Sequence, residues 1–348
     1  MKPLDRFFEF SLINRLTKNL VRHPRQVNAC HQADAEIIRQ DDGTFFAVST
    51  DTLQEEYNFG LIRDPFIVGW SVVAHSLSDL AAVCADPLGV VLALNFPKNI
   101  SDEWGQKFYD GVQAALEAHS TYCLGGDTNF SQEPSFTCTA MGFIRKEFPI
   151  TRMGADKDDV FYVTGPLGGG NLLGITSQVD HAAWKVFEQN YRPVARLKEA
   201  EALSPFIKCM IDTSDALLQA MAIISELNGI GICFEHREDL YESSLIPLTK
   251  KINFPLWLVN VFGMGEYELF MAISRNREAS FLEEAKRQNI PVKKVGQAME
   301  TPGISLAIED KNYSLDVPYL LNLFGQSSSI QEYLKELVIY DQRLRGIP

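Results

Sequence analysis

At 348 residues the chain exceeds one ordinary domain and suits two of about 150 residues each. Its 46% apolar and 22% charged residues are globular values and exclude a disordered chain. A formal net charge of −13 argues against non-specific nucleic-acid binding, which needs clustered Lys and Arg, and no basic amphipathic segment suits a membrane surface.

In chain order, the opening FFEFSLINRLTKNL has Phe7, Phe10, Ile13 and Leu16 at helical spacing, which predicts a helix with one packed face. TFFAVST (44–50) is a short run of β-formers and delivers Asp51 at its end. Asp64-Pro65 starts a helix that runs to about Cys84. A strand over 90–96, a helix from Ser101 to about His119, and the strands TYCLGG and FTCTAMGF follow. After Lys146 the character changes to a polar turn, a strand at Val160–Thr164 and a glycine-rich turn. Helices are expected over 171–189 and 195–207, with strands in GICFE, YELFMAIS and VKKVGQ. IQEYLKELVIYDQRL closes the pattern as an amphipathic helix with Tyr333, Leu334, Leu337 and Tyr340 inward. The boundary is expected near 150–157, giving domains 1–153 and 154–348 of α/β (α+β) character with ligands in the crevice between them or between subunits.

The six cysteines (30, 84, 123, 138, 209 and 233) never form a Cys-x-x-Cys pair and sit mostly among apolar neighbours, as buried free thiols of a reducing compartment do. No apolar run reaches the 18 or so residues of a membrane span, and no signal-peptide core opens the chain, so a cytoplasmic protein is expected.

Four segments set aspartate beside hydroxyl or glycine residues: Ser49-Thr50-Asp51-Thr52, Ser78-Asp79, Gly125-Gly126-Asp127-Thr128 and Asp212-Thr213-Ser214-Asp215. Mg²⁺ prefers hard oxygen ligands, held by one or two carboxylates plus phosphate oxygens, and glycines let the backbone approach phosphate. Each segment alone is also how a helix cap or an Asx turn looks. Asp79 differs because its helical neighbours Leu77, Leu80, Ala81 and Ala82 are apolar, and a carboxylate buried there needs a partner. GPLGGG has the wrong glycine spacing for a dinucleotide fingerprint, and no P-loop is present.

Taken together, FEFSLINRL, VSTDTL, LSDLAAVCADP, GGDT, TRMGA with VTGPLG, DTSDAL and GEYELF resemble thiamine-monophosphate kinases, over about residues 7–325. The resemblance implies an aminoimidazole ribonucleotide synthetase-like fold of two domains, with N-terminal mixed sheets pairing into a barrel in a homodimer. It implies transfer of the γ-phosphoryl group of ATP to thiamine monophosphate in a cleft holding Mg²⁺. By position, Asp34, Asp51, Asp79, Asp127 and Asp212 would ligate Mg²⁺ with help from Ser49 and Thr50, and Asp215 would serve another ion; Asp51, Asp79 and Asp212 are the catalytic set. Gly126, Asp127, Arg152 and Ser214 would meet the nucleotide, with Tyr109 near adenine. None of the six histidines falls in a family motif, as suits an acceptor phosphate that needs no strong base.

The chain departs from the family at four places. Gln32-Ala33-Asp34 stands for Gly-Asp-Asp, and Asn58 replaces a substrate-contacting histidine. In Gly263-Met264-Gly265-Glu266-Tyr267-Glu268-Leu269, Gly265 replaces an acid that would meet thiamine, unless Glu266 reaches its place. Asp212-Thr213-Ser214-Asp215-Ala216-Leu217 loses a glycine at Ala216. Metal and phosphate positions are thus nearly intact, whereas Asn58 and Gly265 on the acceptor side leave open another phosphorylated or amidated metabolite, and Gln32-Ala33-Asp34 a silent nucleotide-binding protein.

Overall fold

A computed structural model describes residues 4–346. The first part of the chain gives α1 (Phe8–Thr17), β1 (Glu36–Arg39), β2 (Phe45–Leu53), α2 (Glu55–Asn58), α3 (Pro65–Ala82), β3 (Asp86–Pro97), α4 (Asp102–Ala118), β4 (Cys123–Ser131) and β5 (Ser135–Ile144). Then come β6 (Asp159–Thr164), α5 (Gly169–Val179), α6 (His181–Asn190), α7 (Leu197–Leu203), β7 (Ile207–Asp212), α8 (Ala216–Asn228) and β8 (Gly231–Glu235). The remainder holds α9 (Leu245–Lys251), β9 (Leu269–Ser274), α10 (Glu278–Arg287), β10 (Val292–Met299), β11 (Gly303–Ile308), β12 (Lys311–Ser314), α11 (Val317–Gln326) and α12 (Ile330–Arg345).

The helix expected over 171–189 is two helices, because the Asp180 side chain accepts the Ala183 N–H and starts a new one. Asp64 caps α3 as its sequence predicts, taking the N–H groups of Phe66 and Ile67. The inward faces of the terminal helices differ in detail from the spacing. Leu16 of α1 is 72% exposed, and in α12 the buried fourth position is Asp341, which accepts Trp257 Nε1–H at 2.7 Å, rather than Tyr340. All six cysteines are free; Cys138, Cys209 and Cys233 are buried, whereas Cys123 lies exposed on β4. Among the described residues no helix is long and apolar enough to cross a membrane.

The chain forms two compact units, neither contiguous in sequence: one comprises Pro24–Thr151 and Leu173–Glu201, the other the described parts of Met1–His23, Arg152–Leu172 and Ala202–Pro348. The first unit holds a five-stranded sheet in the order β1-β2-β5-β3-β4, antiparallel except for β3 with β4. Helix α3 lies across β2 and β5, and Ser76 donates to the Cys138 carbonyl at 2.9 Å. From Ile67 to Ala82 every residue of α3 is buried except Asp79. The second unit holds a seven-stranded sheet, β12-β11-β8-β10-β6-β9-β7, parallel only between β11 and β8. Strand β7 ends at Asp212, and β9 begins at Leu269, directly after the Gly263–Glu268 loop.

Candidate active site

In the first unit the strand period decides which side chains meet. Along β2 the buried Phe45 and Ala47 set one face, and Ser49, Asp51 and Leu53 continue it under α3. Ser49 Oγ donates to Asp79 Oδ2, and a carboxylate oxygen of Asp34 lies within 4.8 Å of one from Asp79. Burial raises the Asp51 carboxyl, and burial pushes nearby Glu56 up to about 6, helped by the charges of Glu55 and Asp51. Three hard-oxygen groups from three segments thus stand together in a strongly acidic neighbourhood, a donor set suited to Mg²⁺. Glu56 was not singled out in the sequence; the Glu55-Glu56 pair just beyond Asp51 is its signal.

The same period removes two expected residues from this group. The Thr50 side chain points to the opposite face, where its hydroxyl meets Thr139 Oγ1 at 2.9 Å, so its Oγ1 does not join Ser49 and Asp51. Asp127 follows Thr52, Thr137 and Ala93 in one row across the sheet, on that same opposite face. It lies on the exposed edge strand β4 and accepts Asn129 Nδ2–H at 2.7 Å. Gly126 shares a row with Asp51 but three strands away, on the order of 14 Å at ordinary strand spacing. Tyr109 packs edge-on to Phe96 and Phe108, and Asn58 is exposed at the end of α2.

In the second unit β7 carries Asp212 to a buried position, where its Oδ1 accepts the Ser214 hydroxyl at 3.0 Å. Asp215 opens α8 and accepts Gln219 Nε2–H at 2.9 Å. The Asn228 amide fastens the Arg152–Ala155 turn to α8, taking the N–H groups of Gly154 and Ala155 and donating to the Arg152 carbonyl. Arg152, Asp212, Ser214 and Asp215 therefore line one cavity of about 170 Å³, joined by Glu9 and Phe10 of α1. The spacing of the opening helix signalled a packed face but not that this face closes a polar cavity.

Ala216, at the glycine-less position of this loop, has φ +69°. An L-residue in the left-handed region costs roughly 1–2 kcal/mol, and glycine would forfeit part of the gain through its freer unfolded chain. Ala216→Gly is expected to stabilise the protein by about 0.5–1 kcal/mol, measured as a raised urea midpoint with unchanged slope. An unchanged or lowered midpoint would refute the strain.

Neither acceptor-side residue of the Gly263–Glu268 loop offers a group to an open pocket. A Cβ on Gly265 would stand 2.1 Å from the carbonyl oxygens of both Thr213 and Ser214, so the position has no room for any side chain. Glu266 turns inward. It accepts the Gly168 N–H at 2.7 Å and an Asn171 amide hydrogen at 3.4 Å, and also bonds the Thr213 hydroxyl. Burial pushes its carboxyl up to about 8, the Gly168 bond opposing the rise and the Glu268 charge adding to it. Thr213 further ties the loops together, accepting the Glu268 N–H at 3.1 Å while its own N–H reaches the Glu268 carbonyl at 2.8 Å.

Several histidines have structural work. Burial pushes His75 down to about 3 and His236 down to about 4. His119 bridges the Ala115 carbonyl and the Ala195 N–H.

The AIR synthase-related protein N-terminal domain family matches residues 32–144, the segment that carries the Asp34, Asp51 and Asp79 carboxylates. The whole fold agrees: a solved structure of AaThiL complexed with AMPPCP and TMP superposes with a TM-score of 0.72 at 22% identity, covering 88% of this chain and 96% of the other. The thiamine-monophosphate kinase of Methanospirillum hungatei is 31% identical over 72% of this chain and 81% of its own length. That of Synechococcus elongatus is 27% identical over 82% and 88%. The chain belongs to the thiamine-monophosphate kinase family.

Proposed function

We propose that this protein transfers the γ-phosphoryl group of ATP to the phosphate of thiamine monophosphate, giving thiamine diphosphate and ADP, with Mg²⁺ required. The observation that carries this is the convergence of Asp34, Ser49 and Asp79 in a chain of this family, with the Asp212 loop and Arg152 lining a cavity of their own. The relatives' activity and the AMPPCP and TMP bound in a protein of the same fold support the two substrates.

Asp34, Ser49, Asp51 and Asp79 would hold Mg²⁺ in this reading, as would Asp212 and Asp215, because all offer hard oxygens. The ion, when bound, supplies positive charge against the phosphate oxygens. Arg152 and Ser214 would bind and orient the phosphates. An oxygen of the acceptor phosphate forms the new bond to phosphorus as the bridging bond to ADP breaks; that oxygen is ionised near neutral pH, so positioning and charge neutralisation do most of the catalysis. The hydrogen bonds that fix His119 and His236 support a reaction that uses no histidine base.

A homodimer also belongs to this reading. The edge strand β4 is exposed nearly throughout and carries Leu124 and Phe130, with Tyr122 just before it. Unpaired edges of this kind favour pairing with another chain, which would cover Gly126 and Asp127 as well.

Purified protein with MgATP and thiamine monophosphate should form thiamine diphosphate, and excess EDTA should abolish turnover that added Mg²⁺ restores. The tight fit at Gly265 and the inward Glu266 favour one second reading, a changed acceptor. ADP release with another phosphorylated metabolite but not with thiamine monophosphate would replace the first reading by the second.

A further inference from the structure

Glu266 and Thr213 join three separate segments of the second unit, and each bond can be traced to a named atom. The Glu266 carboxylate takes the Gly168 N–H, which stands immediately before α5, and reaches the Asn171 amide inside it. The buried Asn171 is itself fixed, donating to the Val259 carbonyl at 2.6 Å and accepting the Met264 N–H at 3.0 Å. On the other side Thr213 offers its hydroxyl to Glu266 and takes the Glu268 N–H. Thr213 lies between Asp212 and Ser214, and its side chain is fully buried, so a shift of Thr213 must move both neighbours. Gly265 seats its Cα against the carbonyls of Thr213 and Ser214, leaving no slack for independent movement of the two loops.

We infer that Glu266 is a positioning residue for the Asp212–Asp215 loop: through Thr213, Gly168 and Asn171 it fixes where Asp212, Ser214 and Asp215 present their oxygens. The consequence falls on the metal and nucleotide side of the reaction, not on the acceptor. Removing the Glu266 carboxyl leaves the Gly168 N–H and the Thr213 hydroxyl without their partner in a buried site, where an unsatisfied polar group costs more than the bond itself contributes.

This inference rests on the proposed kinase reading for its assay, so it is tested first without an acceptor. Calorimetric binding of AMPPCP at graded Mg²⁺ should show a half-saturating Mg²⁺ concentration raised about tenfold in Glu266→Ala. Glu266→Gln, whose Oε1 still accepts the Gly168 N–H, should return to within threefold of the parent protein. In turnover with thiamine monophosphate the Ala variant should lose about tenfold in kcat at fixed Mg²⁺, its KM for the acceptor changing less than twofold. Thr213→Val, which keeps the shape and removes the hydroxyl, should reproduce the Mg²⁺ shift and decides the matter if the Ala variant does not fold. Unchanged Mg²⁺ dependence in folded variants overturns the inference, as does an effect confined to the acceptor KM, which would make Glu266 a substrate contact. A parent protein that binds AMPPCP but does not phosphorylate thiamine monophosphate instead sinks the kinase reading, and the Mg²⁺ comparison still stands.

Discussion

Asp79→Asn is expected to lower turnover by about 100-fold or more while leaving the fold intact. The asparagine keeps an oxygen for the Ser49 hydroxyl, so the local hydrogen bond survives and only the charge is lost. Two carboxylates within 4.8 Å repel by about 3 kcal/mol at an effective dielectric near 20, an upper bound at this half-buried site. Without its ion the Asn variant should therefore melt at the same temperature as the parent or slightly higher. The parent should gain stability as Mg²⁺ is added, because an ion that binds only the folded state shifts the melting midpoint, and the variant should lose most of that gain. Near-normal turnover, or an undiminished Mg²⁺ stabilisation, would remove Asp79 from the metal site. A purely structural Asp79 would give the reverse pattern, with stability falling and activity per folded molecule retained.

Gly265→Ala is expected to destabilise the protein by about 3 kcal/mol or more and to reduce turnover sharply. Its Cβ would sit 2.1 Å from two carbonyl oxygens, well inside van der Waals contact, and neither is a flexible side-chain end that can swing away. Gly170 packs against the same point, its own Cβ direction meeting the Gly265 carbonyl at 2.0 Å, so the loop has no free side to retreat to. Gly265→Asp, which restores the acid of the family pattern, should fare no better, since it adds a charge to the same clash. Denaturant unfolding of the Ala variant measures this directly. A loss under about 1 kcal/mol would mean that the loops part easily, and the acid could then be reinstated to test acceptor binding.

The two outcomes bear on different halves of the chemistry. On the carboxylate half, Asp34, Asp51 and Asp79 stand with Ser49 in the first unit and Asp212 and Asp215 share a cavity of the second, while Asp127 lies on the opposite sheet face. On the acceptor half, the change at 265 is not a vacated contact. The glycine allows the Gly263–Glu268 loop to lie against the Asp212 loop, and Glu266 accepts the Gly168 N–H. Asn58 lies exposed at the end of α2.

The sequence by itself determined the elements with strong local signals and the identity of the chemistry. Asp64-Pro65 announced α3 because the cap and the fixed proline φ act within one turn. The run of β-formers in 44–50 announced β2, and the aspartate motifs in their order carried the family, since a metal site needs particular residue types whatever surrounds them. Only the tertiary structure decided which of those residues meet. The two-residue period of β2 divides Ser49 and Asp51 from Thr50, but which face lies under α3 depends on a helix 12 residues beyond the strand's end. The opening helix showed an apolar face, yet its place beside Asp212 and Arg152 comes from packing in the second unit. Gly265 read as a lost side chain because a missing group looks the same in sequence whether the space is empty or filled. The distance to Thr213 and Ser214 settles it as filled, because backbone atoms from a segment about 50 residues earlier occupy the place where a side chain would stand.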